Sequence, residues 1–287
     1  LLAAVMMVWM LLLVFLLPGM LGLLVFYVLP FFGGIYFSVT DGTRQNAFVG
    51  MANYLSVWQN QMFRLGLVNT LQLSLICAPL IFVSSFLLAG MLKGLGERST
   101  GYRNVLLLPY LMPSAAMLIL FLLLFDYGGP VNRALQALGM PRVLWKESGA
   151  MRVPVIALYV WKNLGFSVVI FSSALQAVPG ALYEYAQLEG ASRLRQEISI
   201  TLPMISPTAF LVFVLAWINA FKIFKEVYFI GGSYPDMSCY TLQHFMNNMF
   251  QRLNYQYVTT AAYSFAVIVL ALFGVLYAIE ARRRVVM

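Results

Sequence analysis

Three polar residues in the apolar segment 205–230 have side chains that could bind a solute. Asn219, Lys222 and Glu226 follow one another at i, i+3 and i+7, so a helix would align them on one stripe. Amide, ammonium and carboxylate groups are costly against lipid, and here they indicate an interior path that hydrogen-bonds a polar solute. The same spacing predicts that Lys222 and Glu226 pair with each other.

Other apolar segments supply further polar and aromatic candidates for this path. Amides and hydroxyls would bind the polar groups of the solute, and aromatic rings would cover its apolar face. The candidates are Trp161, Lys162 and Asn163, Tyr110 and Ser114, and Tyr263 and Ser264. A structural role is the alternative: the charged residues would snorkel to the outer interface, and Asn163 would satisfy a helix kink near Gly165.

The composition places these residues in a membrane protein. Of the 287 residues, 62% are hydrophobic and only 10% are charged, which is far from the composition of a soluble domain. The formal net charge is +8, but the basic residues are scattered between apolar runs. This distribution indicates contact with anionic lipid headgroups rather than with nucleic acid.

No set of residues predicts catalysis or a metal site. Cys77 and Cys239 have neither metal-ligand spacing nor a disulfide framework, and we expect His244 on the surface of an external loop. No G-x-x-x-x-G-K-[ST] phosphate loop occurs, so ATP hydrolysis is not predicted for this chain. We therefore expect no enzyme activity and no cofactor bound by this chain.

Hydropathy predicts a bundle of membrane-spanning helices. A bilayer core about 30 Å thick needs about 20 apolar residues per helix. The sequence lacks the alternation of polar and apolar residues that is typical of a β-barrel. The predicted spans are 14–37, 67–92, 105–125, 155–175, 205–230 and 257–278. The expected fold is an all-α integral membrane protein, with one span and an external segment in 1–60 and five spans in 61–287.

The first 40 residues carry no charge. We interpret them as a retained first span, since the apolar region of a cleaved signal peptide is only about 7 to 15 residues long. A continuous helix of this length would exceed the bilayer thickness. Pro18 and Pro30 are the expected break points.

Six spans place both termini on one side of the membrane. The distribution of Lys and Arg among the loops predicts which side that is. Lys93 to Arg103 is a very short basic loop, and Arg282, Arg283 and Arg284 directly follow the last span. Dense basic residues beside spans favour the cytoplasm. We expect cytoplasmic termini, with the polar stretch 178–203 on the same side.

That stretch carries a motif that resembles the signature of a known family. Glu184-Tyr185-Ala186, three residues, Gly190, nine residues, Ile200, one residue and Leu202-Pro203 are similar to the E-A-A-x3-G-x9-I-x-L-P pattern of permease subunits of binding-protein-dependent ABC importers. The chain also resembles the maltose-type sugar permeases of that group in the segments FVGMANY, NTLQLSL, YRNVLLLPYLMPS, WKNLGF and LQAVPGALYEYAQLEGAS.

The resemblance implies a type I importer bundle of six spans whose coupling helix, within 179–203, docks into a cytoplasmic ATPase. Glu184 would offer a carboxylate to a basic residue of the ATPase, and Ala186 and Leu188 would fill its groove. Gly190 would supply the positive φ of the turn between two short helices. Tyr185 and Glu189 depart from the family pattern, which has Ala and Asp there, so the tightness of docking is open.

The same resemblance implies the partners. They are two ATPase subunits that hold ATP and Mg, a second related permease subunit, and an extracellular or periplasmic solute-binding protein, at a bacterial or archaeal cytoplasmic membrane. The implied function is ATP-driven import of a mono- or oligosaccharide, with this chain forming half of the path. An ion-gradient-driven secondary carrier is the alternative, which internal repeats and midplane carboxylates would favour.

Overall fold

The computed structural model describes residues 2–147 and 149–286, and this part of the chain is almost entirely helical. Within these residues the only strand-like pairing is one isolated bridge between Thr40 and Phe48. Five helices are long and apolar enough to span a membrane, and a sixth span follows if one bent pair of helices is counted as one. The predicted all-α membrane fold is therefore confirmed.

The helices belong to two compact units: a terminal unit, 1–64 with 245–287, and a central unit, 65–244. Their bounds, in chain order, are α1 Leu2–Leu23, α2 Leu29–Ser38, α3 Ala52–Gln59, α4 Gln61–Lys93, α5 Ser99–Leu111, α6 Ser114–Leu124, α7 Pro130–Ala137, α8 Arg152–Gln176, α9 Gly180–Leu188, α10 Arg193–Gln196, α11 Leu202–Ala220, α12 Phe224–Gly231, α13 Leu242–Gln251 and α14 Tyr255–Val286.

In the terminal unit the first span runs through one of the two predicted break points. Pro18 lies inside α1, which continues to Leu23, so the expected break there is wrong. A π-helical turn, Leu24–Val28, precedes α2, in which Pro30 occupies the first turn. Since proline removes a backbone donor, the wider turn before Pro30 is where the helix absorbs that loss.

The last helix of the terminal unit packs on α2 and α3 through polar contacts. Tyr263 donates a hydrogen bond from its hydroxyl to the backbone carbonyl of Phe31. The indole N–H of Trp58 donates to the Ser264 hydroxyl at 3.3 Å. These contacts satisfy polar side chains within protein, as a lipid environment requires.

The third predicted span is broken in the central unit. One helical span was predicted at 105–125, but α5 and α6 divide this region between them and meet at an angle of 94°. Pro113 causes the break, because it restricts the preceding residue to an extended backbone, and Met112 has ψ 145°. The prediction of a single continuous helix is therefore wrong.

One glycine allows α5 and α8 to pack at very close range. A Cβ on Gly165 would lie 1.8 Å from the backbone oxygen of Leu106, so any other residue would push the two helices apart. The helix α8 is unbroken from Arg152 to Gln176. It is thus the continuous element against which the broken third span is held.

The fifth span is also interrupted. Beyond Ala220 the backbone closes two tight bonds, from Lys222 N to the Asn219 oxygen at 2.9 Å and from Ile223 N to the Ala220 oxygen at 3.3 Å. Such i→i+3 bonds turn the chain more per residue than an α-helix does. The following helix, α12, therefore presents different side chains inward from those predicted by continuous helical spacing.

Candidate functional site

A narrow cleft in the central unit brings together two of the predicted path residues. Asn163 comes from α8 and Asn219 from α11, and both side chains line this cleft. Spacings of three and four residues place the lining side chains of each helix on one face. The cleft is lined by Ile81, Tyr159, Asn163, Phe166, Ser167, Ile170, Val212, Leu215, Ala216 and Asn219.

The polar groups of this cleft are neutral and partly unused. Tyr159 is 3% exposed, and its hydroxyl has no hydrogen-bond partner among the described residues. The Asn163 amide donates to the Tyr159 backbone oxygen at 2.8 Å, which leaves its side-chain oxygen to accept. A buried hydroxyl without a partner is costly, so Tyr159 can still donate one hydrogen bond within the cleft.

Tyr159 and Ser167 were not among the predicted path residues, although their spacing in the sequence carries a signal. They lie four residues before and after Asn163, and this spacing puts all three on one helix face. Asn163 was grouped with its sequence neighbours Trp161 and Lys162. Those two side chains point away from the cleft, toward Phe121 and Glu226. Helical periodicity around each candidate would have found the face that lines the cleft.

The buried ion pair differs from the predicted one. Glu226 pairs with Lys162 of α8 at 3.2 Å, and the two side chains are 8% and 16% exposed. Lys222, the predicted partner, is exposed. The turn at 221–223 explains why Glu226 pairs with Lys162 and not with Lys222. It rotates Glu226 to the face of α12 that packs on α8, while Lys222 faces outward.

Lys162 also bridges the two broken spans. Its ammonium donates to the Ser114 hydroxyl at 2.5 Å, at the first residue of α6, as well as to Glu226 at the start of α12. The predicted path residue Ser114 is therefore in contact with this ion pair. Both partners lie within the first turn of the helix that follows a break, so Lys162 on the continuous helix contacts both broken spans.

The aromatic candidates occupy three different settings. Tyr110 stacks on Phe166, a cleft residue, with ring centroids 5.0 Å apart, so it supports the cleft wall. Trp161 packs against Phe121 with centroids 5.6 Å apart. Tyr263 belongs to the terminal unit, where its hydroxyl bonds the Phe31 carbonyl.

The polar stretch 178–203 forms two short helices with a glycine turn between them. Pro179 directly precedes α9, and Gly190 has φ +74°, which confirms the predicted left-handed turn. The hydroxyl of Ser192 accepts from Arg195 N at 3.4 Å and caps α10. Glu189, which departs from the family pattern, is the C-cap of α9.

The outer face of α9 presents large apolar side chains to the surroundings. Tyr185 is 69% and Leu188 85% exposed, while Glu184 is exposed and Ala186 half-buried. Leu202 and Pro203, at the start of α11, are also exposed. Contiguous exposed apolar residues beside a carboxylate are typical of a protein contact surface.

One tyrosine attaches α9 to the membrane helices. The hydroxyl of Tyr183 is 3.0 Å from the Lys93 ammonium at the end of α4 and 2.8 Å from the Thr201 hydroxyl before α11. Its ring packs on the buried cluster that includes Phe171 and Ile205. A force on α9 would therefore be transmitted to both helices. Nothing in the sequence spacing indicated these contacts.

His244 is buried, not on the surface as expected. It lies in α13 with no exposed area, and its Nδ1 is 2.7 Å from the Thr241 hydroxyl. Rings of Phe224, Tyr228 and Tyr240 surround it. Burial lowers its pKa to about 4, so His244 is neutral at pH 7. Its ring fixes the local packing instead of meeting solvent.

Within the described residues no group of three or more His, Cys, Asp or Glu side chains could hold a metal ion. Cys77 and Cys239 are buried and free. The groups brought together in the central unit can hydrogen-bond a polar solute, and the exposed face of α9 can bind a protein.

Comparison with known proteins gives a family match over most of the chain. The profile of the family described as "Binding-protein-dependent transport system inner membrane component" matches residues 82–285. This range contains the stretch 178–203 and every residue that lines the cleft except Ile81.

Individual relatives are transport permeases. The chain is 32% identical to the "sn-glycerol-3-phosphate transport system permease protein UgpA" of Yersinia pestis over 61% of this chain and 59% of that protein. It therefore spans only about three fifths of the length of that relative. It is 29% identical to the "Diacetylchitobiose uptake system permease protein NgcF" of Streptomyces coelicolor over 89% of this chain and 78% of that protein.

The fold is similar to that of a solved transporter. A crystal structure of "a bacterial ABC transporter involved in the import of the acidic polysaccharide alginate" matches with a TM-score of 0.82 and 25% identity, over 96% of this chain and 95% of that one. The same transporter in complex with an "alginate pentasaccharide-bound periplasmic protein" gives a TM-score of 0.81.

Replacement of Lys162, the observed partner of Glu226, and of Lys222, the partner predicted from helical spacing, tests which lysine forms the ion pair. Lys162→Ala leaves Glu226 buried without its cation, which costs about 3 to 5 kcal/mol of stability, and the yield of folded protein should fall sharply. Lys222→Ala removes an exposed side chain and should change stability by less than about 0.5 kcal/mol. Yield and thermal unfolding of the purified membrane protein measure both effects. Equal stability of the two variants would contradict the assigned pair.

Proposed function

This chain belongs to the family of inner-membrane components of binding-protein-dependent transport systems, and on that premise we propose that it is a permease subunit of an ATP-driven carbohydrate importer. It forms half of the translocation path. The observation that carries the proposal is the cleft of Tyr159, Asn163 and Asn219, whose neutral hydrogen-bonding groups suit sugar hydroxyls. The aromatic pair Tyr110 and Phe166 stands behind it.

A carbohydrate is the best-supported class of solute. The uptake of diacetylchitobiose and the import of alginate name carbohydrates in a relative and in the matching structure. The relatives differ in substrate charge, however, because diacetylchitobiose is neutral whereas glycerol-3-phosphate and alginate are anionic. The family therefore leaves the charge of the solute open.

The exposed face of α9 is the proposed docking site for the energy source. Glu184 and Leu188 are exposed there, and Tyr183 connects α9 to α4 and to the residues before α11. Closure of two separate ATPase subunits around ATP and Mg would move this loop and, through it, both helices. One chain offers one such loop, so a second, related permease subunit would serve the other ATPase subunit.

A solute-binding protein on the opposite side of the membrane completes the proposed importer. The family description and the alginate complex with its periplasmic protein support this partner. They also favour an ABC permease over an ion-gradient-driven secondary carrier. The chain itself holds no ATP, and its role is transport rather than catalysis.

The proposed orientation has both termini and α9 in the cytoplasm of a bacterial or archaeal cell. Single cysteines at Glu189 and Tyr234, two exposed positions, test it in a background without Cys77 and Cys239. A membrane-impermeant thiol reagent added to intact cells should label position 234 and not 189. The reverse pattern would contradict the orientation.

Alanine variants of the cleft test the function directly. Asn219→Ala or Asn163→Ala removes hydrogen bonds worth about 0.5 to 1.5 kcal/mol each, so uptake at limiting substrate should slow about two- to tenfold in proteoliposomes. Assembly and basal ATPase activity should stay near those of the unchanged importer. Asn104→Ala, an exposed amide of α5 outside the cleft, is the matched control. Uptake unaffected by either cleft variant would contradict the proposed path.

The coupling role of α9 depends on its glycine turn. Gly190→Val places a branched side chain at φ +74°, where Cβ is strained, and should misplace α10. Transport and association with the ATPase should both fall strongly while the chain still inserts into the membrane. Gly180→Val, at the start of the same short helix with open space around it, should retain most activity. Normal transport by Gly190→Val would show that the turn does not couple.

A further inference from the structure

None of the described residues that line the cleft carries a charge. Its polar members are Tyr159, Asn163, Ser167 and Asn219, and its remaining members are apolar. These groups can donate to and accept from hydroxyls. A carboxylate or phosphate in the same place would lose its hydration without gaining a cation, and this loss is costly in a low-dielectric site.

The cation that directly precedes a cleft residue on α8 is neutralised by an ion pair. Lys162 directly precedes Asn163 on α8, and charge effects reach across such distances inside a protein. An unpaired ammonium here would attract anions to the cleft. Glu226 removes that effect, because it lies 3.2 Å from the Lys162 ammonium and both side chains are largely buried.

The placement of Glu226 is not explained by its neighbours in sequence. Lys222 and Lys225 lie four and one residues before it, and both are exposed. A surface pair with Lys222, at helical i, i+4 spacing, would avoid the desolvation of two charges. Since a buried ion pair adds little net stability over an apolar pair, the arrangement points to control of charge beside the cleft.

We propose that Glu226, by neutralising Lys162, is a specificity-determining residue that makes this subunit select uncharged carbohydrate over carbohydrate bearing a carboxylate or phosphate. This inference rests on the proposed function and names the charge class of its substrate. Glu226 acts through Lys162 and does not itself line the cleft.

The test uses pairs of sugars that differ in one charged group. The probes are methyl glucoside with methyl glucuronide, methyl galactoside with methyl galacturonide, and N-acetylglucosamine with its 6-phosphate. Their binding to the complete importer in nanodiscs is measured by saturation-transfer NMR without the binding protein, so that selective delivery cannot produce the result. A signal about two- to tenfold weaker in Asn219→Ala assigns the binding to the cleft.

In the unchanged importer the neutral member of at least one pair should bind at least about fivefold better than its anion. Glu226→Gln keeps an amide oxygen for Lys162 and leaves its charge unbalanced, so the preference should shift toward the anion by about fivefold or more. Lys225→Gln, an exposed lysine on the same helix, should leave the preference unchanged.

A double variant separates charge from packing. Lys162→Met with Glu226→Gln removes both charges and should restore the preference for neutral sugar. It also keeps the test valid if Glu226→Gln alone folds poorly. A double variant that folds and still prefers the anion would overturn the charge mechanism.

Three further results of the binding measurements would contradict part or all of the proposal. Equal binding of neutral and anionic members to the unchanged importer would overturn the inference and leave carbohydrate import standing. An unchanged preference in Glu226→Gln would overturn the role of Glu226. Binding of no sugar from any pair would contradict the proposed function itself.

Discussion

A lipid environment offers no partner to a polar group, and this constraint governs how the central unit is built. Two of its spans are broken, one at Pro113 and one at 221–223, and each break exposes polar groups that lipid cannot satisfy. Lys162 on the unbroken helix α8 contacts a residue in the first turn after each break, Ser114 and Glu226. The ion pair therefore fixes the breaks relative to α8.

Fixing the breaks also places the cleft. The close approach of α5 at Gly165 and the contacts of Lys162 hold one side of α8, while its other face presents Tyr159 and Asn163 toward Asn219. Charge is thus confined to the structural side of the helix. The side that faces the cleft retains only neutral hydrogen-bonding groups, which is why one helix can combine a buried ion pair with an uncharged binding surface.

The stretch 178–203 is not subject to the same constraint as the apolar spans, because it is polar and carries exposed apolar side chains. Tyr183 fastens it to Lys93 and Thr201, and a π-helical turn, Glu197–Thr201, joins it to α11. Pro203 lacks the backbone donor that would continue the regular helix there. A displacement of α9 would therefore reach α11 through a segment of irregular helix, which is easier to deform than a regular one.

The sequence by itself determined the features that depend on local spacing or on solvent. Apolar runs of about 20 residues predict spans because bilayer thickness fixes their length. The spacing around Gly190 indicated the family, and its positive φ follows from a turn that only glycine adopts freely. The candidates Asn163 and Asn219 also follow from polarity within apolar helices.

Only the tertiary structure decided which helix lies opposite each side chain. Helical spacing paired Glu226 with Lys222, four residues away, but the turn at 221–223 directs Glu226 to Lys162, 64 residues away in sequence. The burial of His244 and the unpartnered hydroxyl of Tyr159 likewise depend on rings and helices distant along the chain. Local periodicity specifies the face of a helix, whereas packing between helices selects what that face meets.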